Sequence, residues 1–167
     1  TKEGESTEET IPRQELPGQD NANEEAMIME MATTKKKGQF FFGIGVTVKE
    51  YASNRMTGWV LKEISLGNKL LDEALALKLV LCKAVQRNWS KDKLNFCNKE
   101  LWRQITQQSP VDSKMATVLE DISNLQRLFC MCSFDLCREE NMIVSKKLSD
   151  DTLGVIVDEE RLFPQCL

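Results

Sequence analysis

Histidine is absent from this 167-residue sequence. That absence removes imidazole acid–base catalysis, Ser-His-Asp triads and His-based metal ligation. No run approaches the roughly 18 uncharged apolar residues that a membrane span needs, so none is expected. The opening Thr1–Glu9 is acidic and no basic-then-apolar segment follows, so no secretory leader is read within these residues; the missing starting Met leaves a removed leader open. Cys166 stands second from the end rather than fourth, which excludes prenylation. A strong clustered basic footprint is also missing. The net charge is −4, with nine acidic and two basic residues in 1–34 and 17 acidic against 20 basic in the remainder. An acidic tail on a mildly basic body makes nucleic acid an unlikely partner.

Hydrophobic residues make up 41%, slightly low for a fully globular chain, so part of the length is expected to be disordered. Residues 1–38 read as that part: an acidic tail punctuated by Pro12, Pro17 and Gly18. Only Ala26–Met31 is apolar there, suited to a short transient helix. Lys35, Lys36 and Lys37 read as a solubilising flank.

What is present is helical periodicity. Met115, Val118, Ile122, Leu125, Phe129, Cys132 and Leu136 recur in alternating steps of three and four, the seam of a coiled-coil helix. Ser109-Pro110-Val111-Asp112 supplies an N-cap, a first-turn proline and a first-turn acid, so a helix is expected over about 110–142. A second helix, about 59–89, carries the stripe Leu61, Ile64, Asn68, Leu71, Leu75, Lys78, Cys82, Val85 and Trp89. Thr57 is its expected N-cap. Its second apolar row includes Leu66, Leu70, Leu77, Val80 and Ala84, so it should touch more than one neighbour. Asn68 could fix register or face water, and Gly67 could mark close packing or a bend. A third helix, about 91–107, follows a cap at Ser90, with Leu94, Cys97, Leu101 and Ile105 one per turn.

Phe40–Val48 differs from the rest. Phe42, Ile44, Val46 and Val48 alternate on one face, the pattern of a strand, with Gly43 and Gly45 allowing close approach. Its Gly-Ile-Gly lacks the third glycine and the βαβ context of a nucleotide fingerprint. A lone strand is unstable, so the segment 39–54 is expected to lie on the helical body, to join a partner's sheet, or to stay mobile as a sticky segment. Leu153–Val157, within a C-terminal tail over 148–167, is a second short apolar strip.

Six cysteines spread along the chain favour reduced thiols over a disulfide framework. Cys130 and Cys132 point about 200° apart on a helix, so they cannot grip one ion together. No metal, cofactor or catalytic residue is assigned. Asn88-Trp89-Ser90 matches the glycan acceptor pattern, which matters only in a secreted protein.

The sequence therefore predicts an all-α fold: a three-helix bundle with a coiled-coil-like core over 55–147, a disordered acidic tail and a small extended appendage. The function expected is that of a non-enzymatic scaffold subunit, intracellular in cytoplasm or nucleus. It would bind other helical proteins, or itself, through Leu61, Ile64, Leu71, Leu75, Met115, Val118, Ile122, Leu125, Phe129 and Leu136, with Phe42, Ile44 and Val46 as a docking strip. The alternative is a secreted cytokine-like helical ligand with disulfides.

Overall fold

The computed structural model describes residues 26–53, 55–107, 112–152 and 159–163. The elements run β1 (Met27–Thr34), β2 (Phe41–Glu50), β3 (Met56–Ile64), α1 (Lys69–Gln86), β4 (Lys91–Phe96), α2 (Lys99–Gln107), α3 (Ser113–Gln126), β5 (Met131–Leu136), a short 3₁₀ turn (Glu139–Asn141), α4 (Ile143–Thr152) and β6 (Glu159–Phe163). The expected all-α bundle is thus corrected to a mixed α/β fold. Its six-stranded sheet has the order β5-β4-β1-β2-β3-β6. The first three strands form an antiparallel meander. β4 pairs parallel to β1, and β5 parallel to β4, each after a helical crossover, as parallel pairing requires.

Each correction has a physical cause. Ala26–Met31 is not a tail helix but the start of the central strand. Met29 and Met31 bury on one face, and the neighbours β2 and β4 supply the ladder that the segment alone cannot. The 59–89 helix begins ten residues late. Trp59, Val60 and Leu61 are buried in β3, where tertiary pairing decides an apolar run that periodicity leaves ambiguous. Gly67, at φ 83, turns the chain out of β3, and the Asn68 side chain then caps α1 by accepting from the Leu71 N–H at 3.1 Å.

The 91–107 helix is a strand followed by a helix. Asp92, Leu94 and Phe96 bury alternately in β4, and Asn98 caps α2 through the Leu101 N–H at 3.0 Å. The long seam helix stops at Gln126. Met115 to Leu125 lie on α3, whereas Phe129 lies in the following turn and Cys132 and Leu136 in β5. No glycine or proline announces that break. Asp112 is the N-cap of α3, accepting from Met115 N–H at 2.8 Å. Ser109, Pro110 and Leu153–Val157 lie outside the described residues.

The strand expected over Phe40–Val48 is present as β2, with Phe42, Ile44, Val46 and Val48 on the buried face that packs with α1 and α3. The opposite face of the sheet receives α4. There Gly45 is required by contact, because a Cβ would sit 2.1 Å from the Ser145 carbonyl oxygen and 2.5 Å from the Ser149 nitrogen. Ser145 and Ser149 are fully buried at this seam. α1 ends with Asn88 in the left-handed region at φ 60, where asparagine is among the better-tolerated side chains. Among the described residues no helix is long and apolar enough to cross a membrane.

Candidate functional site

The carboxyl ends of the three parallel strands β1, β4 and β5 come out side by side. In open α/β sheets that is where ligand crevices form. Here they frame a cavity of ≈ 600 Å³, with Thr33 from β1, Asn98 and Lys99 after β4, and Arg138 after β5 on its wall. α1 contributes Lys69 and Glu73, and α4 contributes Lys146 from the other side of the sheet.

Glu73 is the centre of this arrangement. It is buried, yet it sits one turn from the N-terminus of α1, where the helix dipole favours negative charge. Burial raises its pKa. The Lys69 ammonium, hydrogen bonds from Asn98 and Thr33, and the charge of Lys146 oppose that rise. Lys69 Nζ stands 3.9 Å from Glu73 Oε2. Lys146 Nζ donates to the Thr33 carbonyl at 2.9 Å, which pins α4 to the end of β1. Groups from three elements and the β4–α2 connection thus surround one carboxylate.

Asp72, beside Glu73, is also buried but has a different task. It accepts from the Ser65 hydroxyl at 2.6 Å and the Leu66 N–H at 2.7 Å, fixing the turn that aims α1 at the cleft. Cys97 and Cys137 flank the cavity. The Cys97 thiol donates to the Met142 sulfur at 2.9 Å. Burial first, and then the charges of Glu139 and neighbouring groups, push its pKa to about 11, so it is a neutral thiol at pH 7.

A divalent-cation clamp needs several convergent carboxylates. Glu73 already has ammonium and amide partners, and the described residues contain no group of three His, Cys, Asp or Glu side chains able to hold a metal ion. The donor set does not fit such an ion. Lys69, Lys99, Arg138 and Lys146 line the cleft together with Glu73, Glu139 and Glu140, and this cationic majority favours an anionic group.

None of Thr33, Lys69, Glu73, Asn98 or Lys146 stands out in the sequence. The one legible signal is the Asp72-Glu73 pair inside an otherwise apolar helical run. The residues the sequence does single out belong mostly to the interior. Leu61, Leu71, Met115, Ile122, Phe42, Ile44 and Val46 share one buried cluster. Leu75, Val118, Leu125 and Phe129 pack against it, while Ile64 and Leu136 are exposed. These apolar stripes meet within the chain itself.

No family model matches the sequence, and no curated protein matches it. Solved structures do resemble it in shape. RNase H1 from the halophilic archaeon Halobacterium salinarum NRC-1 aligns over 77% of this chain and 97% of its own, with a TM-score of 0.63 and 11% identity. The N-terminal RNase H domain of rv2228c from Mycobacterium tuberculosis covers 77% and 99%, at TM-score 0.61 and 13% identity. LC11-RNase H1, isolated from compost by a metagenomic approach, covers 76% and 94%, at TM-score 0.61 and 15% identity. These likenesses correct the readings that followed from an all-α bundle: a coiled-coil scaffold, a cytokine-like ligand, a chain that is no enzyme, and a protein for which nucleic acid is an unlikely partner. With a meander, two parallel crossovers and a last helix returning across the sheet, the chain has an RNase H-like fold.

Proposed function

We propose that this chain acts on nucleic acid by binding a polynucleotide backbone, of the RNA/DNA-hybrid class, across the cleft around Glu73. The carrying observation is the convergence of Lys69, Lys99, Arg138 and Lys146 at the carboxyl ends of β1, β4 and β5. Phosphates are held by such cationic groups, together with polar side chains of the Asn98 and Thr33 kind. LC11-RNase H1, solved in complex with an RNA/DNA hybrid, lends the substrate class, at TM-score 0.56 and 15% identity.

Fluorescence anisotropy with a labelled RNA/DNA hybrid tests this. Lys69 is 83% exposed at its side chain, so Lys69→Gln keeps the fold while removing one phosphate contact. A weakening of about fivefold is expected, on the order of 1 kcal/mol. An unaltered chain that does not bind the hybrid at near-physiological salt overturns the reading.

A second reading is favoured by the raised pKa of Glu73 beside two ammonium groups. It is phosphodiester cleavage in RNA by acid–base chemistry. Glu73 takes the proton of the attacking ribose hydroxyl as that oxygen bonds to phosphorus. The same proton then passes to the departing oxygen as its bond to phosphorus breaks. Product formed in chelator and lost in Glu73→Gln supports it, and no product under any condition removes it. The five described cysteines are unpaired, which supports a reducing compartment, cytoplasm or nucleus.

A further inference from the structure

The turn joining β1 to β2 carries a feature that the cleft does not use. Lys35, Lys36 and Lys37 are exposed there. Gln39 N–H donates to the Lys36 carbonyl at 3.1 Å and Gly38 has φ 82, so the three lysines sit on a fixed turn. Next to them Phe40 is 80% exposed, and Phe41, Ile64 and Leu66 are exposed as well. The Ser65 N–H holds the Phe40 carbonyl at 2.7 Å, and Lys62 Nζ stands 4.9 Å from the Phe41 ring centroid. A basic turn beside solvent-facing aromatic rings on a hydrogen-bonded backbone has the two components of a single-strand platform: charge for the backbone and a π-face for bases.

Its placement matters as much as its composition. The turn lies at the end of the sheet where β1 finishes and β2 begins, the same end as the cleft. A second cavity of ≈ 370 Å³ joins the two. It shares Thr33, Lys69 and Lys146 with the cleft and reaches Lys35. From β5 to β3 this end spans four strand spacings, about 19 Å. At the roughly 3.4 Å per nucleotide of a stacked strand, cleft and turn together accommodate about five or six nucleotides.

We infer that the β1–β2 turn and the Phe40–Phe41 patch form a single-strand binding site, continuous with the cleft, which receives a nucleic-acid strand leaving the duplex. The site rests on the proposed function and narrows it: the favoured ligand is a hybrid with a single-stranded extension. A protein partner is the other occupant of an apolar patch, but the three adjoining lysines match a polyanion.

The test compares blunt hybrid with hybrid bearing a single-stranded DNA extension of about six nucleotides at one end or the other. The extension should tighten binding by the unaltered chain roughly tenfold, in a salt-dependent way. Phe40→Ala and Lys36→Ala/Lys37→Ala, all at exposed positions, should abolish that gain and leave blunt-hybrid affinity unchanged. Blunt binding with no gain from either extension overturns this site while leaving the cleft reading intact. A gain that survives both variants, or a dimer by light scattering that Phe40→Ala dissolves, also overturns it. Failure to bind any hybrid overturns both.

Discussion

Asp92 is a carboxylate in the wrong place for stability. It lies on β4 with no exposed surface, facing the helices beside Leu94 and Phe96, and neither oxygen has a hydrogen-bond partner among the described residues. Desolvation pushes its pKa to about 7. The folded chain therefore holds this proton between about pH 4 and pH 7, while the unfolded chain releases it. The contribution of this group to stability consequently falls as pH rises through that window, by up to ~4 kcal/mol. Asp92→Asn removes the ionisation. Its urea-unfolding free energy, relative to the unaltered chain, should climb from pH 4 to pH 8. A difference independent of pH would show that Asp92 reaches water. Its neighbour Cys132 is pushed to about 12, by burial first and the Asp92 charge second, and stays a thiol throughout.

Among the elements, the contact of α4 with β2 is the least forgiving. Ser145, Leu148 and Ser149 lie against Gly45 so closely that a methyl group would meet backbone atoms. Backbone cannot rotate aside as a side chain can, so Gly45→Ala should destabilise the chain by about 2–3 kcal/mol. Denaturant unfolding measures this, and a loss below about 0.5 kcal/mol would show that α4 rides higher on the sheet than described. α4 also carries Lys146, so the same substitution displaces an ammonium group of the cleft. Here the sequence was partly legible. The alternation in β2 pointed to a strand and its two glycines to a close approach or a bulge; the strand exists, and the close approach falls at Gly45. α3 was legible in part, as the beginning of a seam drawn too long, but its cap was read at Ser109, whereas the structure uses Asp112, read as a first-turn acid. β1, β3, β4 and β5 were not. Each is mostly apolar or mixed, and in β3, β4 and β5 strand residues continue a helical rhythm by accident, as Cys132 and Leu136 do after α3.

For the whole molecule, charge is the quantity that decides what approaches. The four cationic side chains on the cleft wall, which outnumber Glu73, Glu139 and Glu140 there, should each displace about one counterion when the cleft takes up phosphates. The logarithm of hybrid affinity should then fall against the logarithm of salt concentration with a slope of about −3 to −4. Anisotropy titrations over a salt series give that slope. A value near zero would mean that the cleft is not the binding surface, whatever the fold. The acidic residues concentrated in 1–34 hide this basic end of the sheet from any reading of net charge.

By itself the sequence determined the parts whose cause is local. It set the alternation that makes β2, the glycine at position 45 that permits a helix to lie on it, and the want of histidine that narrows the possible chemistry. Only the tertiary structure decided that the chain is a sheet crossed by helices, and that Thr33, Lys69, Glu73, Asn98 and Lys146 share one cleft. Strand pairing and site assembly depend on partners tens of residues away. Periodicity along a single segment carries no information about them.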